Sequence, residues 1–172
     1  AQRCAYLVNQ LLTLARSCAE VPMAPVDLAH LAQEVARELS PRAIALKVDL
    51  GYEGCEHAWV NGSALLLREA VSNLIDNALR YGISRENGNE PTVTLSVQQL
   101  QGQVLLAVED NGPGLSEAQR EQVFERFWRG SDLPGGCGLG LAIVQEIARH
   151  HHGEAQVTAL APHGLRVSLR LG

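Results

Sequence analysis

The stretch LLLREAVSNLIDNALRYG, Leu65 to Gly82, sets apolar residues at helical spacing along its whole length. At about 100° per residue, Leu67, Val71, Leu74, Ile75 and Ala78 share one arc, while Glu69, Asn73, Asn77 and Arg80 line a narrow strip opposite. The apolar arc belongs on a sheet, so the strip is expected to face away from the core. Two readings of the strip stand side by side. One is a plain solvated helix face. The other is functional: mid-helix asparagines sit where Glu or Lys would form helix better, and an Asn side-chain oxygen suits a Mg²⁺ that keeps phosphate and water oxygens as its other ligands. Asn61 is placed to cap this helix, which runs from about Gly62 to Tyr81, and Gly82 to end it.

Downstream, VEDNGPGLS, Val108 to Ser116, follows an apolar run with an acid, an amide and alternating glycines. A tight turn explains the proline and one glycine. It does not require Asp110 followed by both Gly112 and Gly114, which permit close backbone approach by something flat. A carboxylate on the floor of such a pocket accepts a hydrogen bond from adenine's exocyclic amine, where guanine presents a carbonyl instead. Asp110 is therefore expected to select ATP over GTP. The third element is GGCGLGLAIV, in which Gly136, Gly138 and Gly140 alternate directly before a helix. Glycine-rich backbone at a helix N-terminus suits an anion, although no Walker loop occurs.

Around these motifs the chain reads as a short strand at Pro25 to Asp27, a helix from about Leu28 to Leu39 stopped by Pro41, and strands in IALKVDLGY and HAWV. TVTLSVQQL and QVLLAVED form a hairpin across Gln101 and Gly102. Helical turns follow from Glu117 to Phe124, then a helix through LGLAIVQEIARHHHG, then a second hairpin across APHG. The succession predicts an α+β fold, a two-layer sandwich with a largely antiparallel sheet and helices on one face.

With 172 residues, 46% hydrophobic, the chain can bury one good core and is short for two. Its net charge of −5 offers no bulk attraction to nucleic acid or an anionic membrane face, so any basic site is local. No apolar run is long enough to cross a bilayer, and no signal pattern opens the chain. Cys4, Cys18, Cys55 and Cys137 lack metal spacing and read as reduced thiols. His150, His151 and His152 point in different directions on a helix, so a C-terminal turn is a better reading than a metal site. Cys137, near a helix start, reads either as an acidified thiol or as a small residue tolerated between glycines.

The three motifs, in this order, resemble the N, G1 and G2 boxes of the gyrase, chaperone, histidine kinase and mismatch-repair (GHKL, or Bergerat) ATPase superfamily. FERFWRG between the last two is similar to the F box of histidine kinases, and the likeness covers Pro25 to Gly172. The resemblance implies that Asn77 binds Mg²⁺, that Asn73 and Arg80 lie beside the ATP phosphates, and that Tyr81 lies against the nucleotide. It implies that Asp110 takes the adenine amine, with Gly112 and Gly114 shaping the pocket. Gly136, Gly138 and Gly140 would anchor the lid that closes over the triphosphate, and Phe124, Arg129 and Leu139 would join the nucleotide site; Arg126 and Arg129, the cations nearest the lid, read either as γ-phosphate contacts or as surface arginines. The lid segment FWRGSDLPG is shorter than in many relatives.

YLVNQLLTLAR carries Leu7, Leu11, Leu14 and Cys18 on one helical seam. It resembles the end of the dimerisation and phosphoacceptor hairpin of such kinases. An ordinary amphipathic helix packed on the domain is the other reading. The expected organisation is residues 1–21 as the end of that hairpin, 22–25 as linker and 26–172 as the ATP-binding catalytic domain. None of His30, His57, His150, His151, His152 or His163 sits in the phosphoacceptor context, so that histidine is expected upstream, in a longer parent. The implied activity is transfer of the ATP γ-phosphoryl group to that histidine, then to an aspartate on a response regulator receiver domain. The implied partners are the parent's own homodimeric dimerisation domain and the regulator. The implied location is a cytoplasmic domain of a parent in the bacterial inner membrane, reached only through missing parts. The superfamily's hydrolases place a glutamate base where this chain has Asn73, which cannot accept a proton at neutral pH. Three rivals are an anti-sigma serine kinase, a true ATPase and a non-catalytic nucleotide-binding module.

Overall fold

The computed structural model describes residues 22–125 and 140–172. In chain order the elements are β1 (Ala24–Asp27), α1 (Leu28–Ala45), β2 (Asp49–Gly54), β3 (Trp59–Gly62), α2 (Ala64–Tyr81), β4 (Thr92–Leu100), β5 (Gln103–Asp110), α3 (Glu117–Gln122), α4 (Gly140–His150), β6 (Glu154–Ala159) and β7 (Leu165–Leu171). A five-stranded sheet runs in the order β2-β4-β5-β7-β6, and β1 pairs with β3 apart from it. β2 is parallel to β4, and every other neighbouring pair is antiparallel. This is the expected α+β sandwich, with the helices on one face of a largely antiparallel sheet.

Alternation along the strands decides what the helices cover. β4 buries Val93, Leu95 and Val97, and β5 buries Val104, Leu106, Val108 and Asp110 at every second position. A carboxylate therefore ends an apolar, core-facing row. The turn between these strands holds Gln101 and Gly102 at φ of 49° and 81°, the twist a two-residue hairpin needs.

α2 packs on β4 and β5 and also on α1 and α4. With helices beside it as well as a sheet beneath, it buries polar residues together with apolar ones. Asn73 is 6% exposed and Asp76 5%. The expectation that the Glu69-to-Arg80 strip faces solvent is thus overturned at Asn73, because the period of one helix does not reveal how many neighbours it has.

Three boundaries differ from the sequence expectation. Pro41 does not stop α1; it sits exposed inside the helix, and Ser40 Oγ donates to the Ala36 carbonyl at 2.8 Å just before it. The helix runs on to bury Ala43, so the missing N–H near its end is tolerated, and β2 starts at Asp49. α2 is capped by Ser63, whose Oγ accepts from Leu66 N–H at 3.3 Å, rather than by Asn61. β1 begins at Ala24, inside the stretch expected to be linker. Residues 1–21, with Cys4, Cys18 and the Leu7-to-Cys18 seam, lie outside the described residues.

α4 ends at His150, and His152 turns into the left-handed region at φ 56°. His151 is buried between them. Its Nε2 accepts from Ser63 N–H at 3.0 Å and its Nδ1–H donates to the Ile147 carbonyl at 2.7 Å, tying the end of α4 to the start of α2. Burial pushes its pKa below the ordinary 6.5. The neutral ring's contribution is complete above that unfolded value and is lost as pH falls through the lower folded one. The parent should lose more stability to His151 between pH 7.5 and 5.5 than a His151→Gln variant loses, as read by urea unfolding at both pH values.

Candidate nucleotide site

Where the end of α2 meets the end of β5, the backbones come so close that side chains cannot fit between them. A Cβ on Gly82 would lie 2.5 Å from Asp110 Cγ and Oδ2, and one on Gly112 would lie 2.3 Å from the Gly82 carbonyl oxygen. A third glycine completes the enclosure, since a Cβ on Gly164 would lie 2.2 Å from the Asp110 carbonyl oxygen. Asp110 itself is 9% exposed. Its Oδ1 accepts from Gly112 N–H at 3.0 Å, and the Leu165 backbone N–H also bonds it. Burial outweighs both bonds and pushes its pKa up to about 6.

The loop after Asp110 is held by Asn111. Its Oδ1 accepts from Thr92 N–H and its Nδ2 donates to the Glu90 carbonyl, each at 2.9 Å. The start of β4 thus fixes the backbone that carries Gly112 and Gly114. On the far side, His163 Nδ1 lies 3.2 Å from the Gly112 carbonyl oxygen.

A cleft opens above this junction. α2 and its end contribute Leu74, Asn77, Ala78, Tyr81 and Gly82, and β5 contributes Val108 and Asp110. Gly114, Leu115 and Val123 come from the following loop and helix, Leu141 from α4, and Leu165 and Val167 from β7. The walls are apolar, with Asp110 and Asn77 as polar points. That suits a flat, mostly apolar ring whose edge carries a donor. At Gly140, the first residue of α4, a Cβ would lie 3.8 Å from Asn77 Oδ1, so the amide oxygen faces the start of that helix.

Four expected residues, Asn77, Tyr81, Asp110 and Gly114, are thereby brought together. Gly112 stands behind Asp110 rather than in the cleft wall. Asn73 is buried outside that wall, and its Nδ2 has no hydrogen-bond partner. Arg80 is paired with Asp76 one turn back, Nε to Oδ2 at 3.2 Å. Phe124 is half-buried against the core, and its neighbour Val123 enters the cleft instead. Arg126, Arg129, Gly136, Cys137, Gly138 and Leu139 lie outside the described residues.

The donor set fits a magnesium ion of a particular kind. Among the described residues, no group of three or more His, Cys, Asp or Glu side chains converges on a metal position. The single neutral oxygen that Asn77 offers suits a Mg²⁺ that keeps phosphate and water oxygens as its other ligands.

Residues 62–172 match the histidine kinase-, DNA gyrase B- and HSP90-like ATPase family. The chain belongs to that family. It is 42% identical over 114 residues to the sensor histidine kinase GtrS of Pseudomonas aeruginosa, covering 64% of this chain and 22% of that protein. It is 35% identical over 176 residues to the sensor protein kinase PmrB of the same species, covering 99% of this chain and 36% of that one. The chain thus spans well under half the length of either relative. Full-length ShkA, solved in complex with AMPPNP, superposes with a TM-score of 0.81 at 27% identity, over 96% of this chain and 35% of that one.

The raised pKa of Asp110 has a consequence for stability. A group raised in the fold contributes fully below its unfolded value of 3.8 and loses that contribution as pH rises through about 6. Ionised Asp110 therefore weakens the ligand-free fold at neutral pH, on the order of 3 kcal/mol. Asp110→Asn should unfold at higher urea than the parent at pH 8, and the gap should close toward pH 4.

Proposed function

We propose that this chain is the ATP-binding catalytic domain of a sensor histidine kinase, which transfers the γ-phosphoryl group of ATP to a histidine on the parent's dimerisation hairpin. The observation that carries the reading is Asp110, a buried acceptor at the end of an apolar cleft, pressed on by glycines, with Asn77 in the same cleft. Asp110 accepts the exocyclic amine of adenine, and the apolar walls and Tyr81 hold the ring. Asn77 offers its side-chain oxygen to Mg²⁺, which when bound neutralises charge on the phosphates. Arg80, three residues beyond Asn77 on α2, is assigned to the triphosphate side. The incoming histidine nitrogen forms a bond to the γ-phosphorus as the bond to the bridging oxygen breaks, and ADP leaves.

Asn73 supports the kinase branch over the hydrolase branch. An amide cannot serve as the base that activates water, whereas phosphoryl transfer to a supplied nucleophile needs mainly positioning and charge stabilisation. Residues 1–21 supply the end of the dimerisation helix in this reading. The parent homodimer and a response regulator receiver domain are the partners, and the domain works in the cytoplasm below a membrane-anchored sensor. Mg-ATP titrated into the chain should give saturable heat that returns to baseline. A separately supplied hairpin bearing the histidine should then acquire an acid-labile phosphoryl label. Sustained heat with no labelled hairpin would assign the chain to the hydrolases instead.

A further inference from the structure

The polar strip of α2 holds a residue that its helical pattern does not single out. Asp76, directly before Asn77, has a side chain only 7% exposed and binds two guanidinium groups. Arg42 reaches Oδ1 through Nη1 from the last turn of α1. Arg80 meets both oxygens through Nε alone, at 3.3 and 3.2 Å. Among the described residues, the terminal NH2 groups of Arg80 make no hydrogen bond. The side chain of Arg80 is 25% exposed, so those groups are not sealed in the core. Arg42 and Arg80 thus bring two guanidinium groups to one carboxylate in a chain of net charge −5.

The division of donors has a physical cause. A buried carboxylate with a single arginine favours the two-pronged pair, in which the guanidinium turns two N–H groups onto the two oxygens. A second arginine on the same carboxylate takes part of that demand. The first can then remain anchored by one edge with its side chain ordered and its terminal donors unused.

We propose that Arg42 is a positioning residue for nucleotide binding: by sharing Asp76 it lets Arg80 hold that carboxylate through Nε only, leaving the terminal NH2 groups of Arg80 for the phosphates. This rests on the reading above that Arg80 lies on the triphosphate side. Arg42 touches no nucleotide and acts from α1 through Asp76 and Arg80. Its sequence position gives no hint of this, because the turn that delivers it lies beyond Pro41.

A double-mutant cycle on the 172-residue chain tests the proposal. The parent, Arg42→Met, Arg80→Met and the double variant are each titrated with Mg-ATP by calorimetry and with adenosine by NMR shift changes. Each single change should weaken Mg-ATP about tenfold, the scale of one charge-assisted hydrogen bond, with adenosine affinity unchanged. The double variant should bind Mg-ATP no more weakly than Arg80→Met, and Arg42→Lys should recover most of the loss. Arg42→Met losing affinity equally in the parent and the Arg80→Met background would overturn the proposal, because Arg42 would then act independently. So would an equal loss of adenosine affinity, the mark of a merely structural role. If Arg80→Met alone leaves Mg-ATP binding intact, the phosphate role of Arg80 has failed first and the positioning role falls with it.

Discussion

A carboxylate at the end of a core-facing strand row is the constraint on which the rest of the site depends. Val104, Leu106 and Val108 occupy the preceding positions of that row, and the helix layer that covers them also covers Asp110. Ionising such a group is unfavourable unless donors meet it, and two backbone N–H groups do so only in part, leaving its pKa near 6. The junction is built so tightly that Gly82, Gly112 and Gly164 have no room for a methyl group. The ligand-free fold thus carries a strained polar point whose unmet demand is for a hydrogen-bond donor. In the proposed function an exocyclic amine supplies one, which would turn a stability defect into a binding determinant.

The second organising fact is the position of α2. It lies on the sheet with α1 and α4 also against it, so Asn73 and Asp76 are buried rather than washed by solvent. Ser63 at its start is tied to His151 at the end of α4, and Asp76 near its far end is tied to Arg42 at the end of α1. Both neighbouring helices are therefore pinned to α2 by polar contacts, in addition to apolar packing. The cleft lies at the end of this bundle, bounded by Tyr81 and Gly82 on α2, Asp110 on β5 and Leu141 on α4. The site inherits its rigidity from elements whose main business is the core.

Much of this was legible in the sequence because it rests on period and parity. The β4-β5 hairpin follows from clean alternation across Gln101 and Gly102. Asp110 stands out because an acid directly precedes two alternating glycines at a strand end. Other features depend on neighbours distant in sequence. Gly82 reads as a helix stop, and its close approach to Asp110 is invisible until α2 and β5 are laid side by side. Asn111 looks like an ordinary turn residue, yet it fastens the loop to β4. Arg42 lies beyond Pro41, and a proline near an exposed helix end removes only one bond, so the helix carries on to deliver it. Asp76 does carry a signal in the sequence, namely Arg80 four residues later on the same helix. The burial of Asn73 is invisible in the sequence, because one helix's periodicity does not count its neighbours.

The central claim is that Asp110 recognises adenine through its amine. The most direct measurement compares the affinities of Mg-ATP and Mg-GTP for the parent chain and for Asp110→Asn by calorimetry. The account predicts that the parent prefers ATP, and that the variant binds ATP on the order of tenfold to a hundredfold more weakly with much of the preference over GTP gone. A variant that binds ATP as tightly and as selectively as the parent would contradict it.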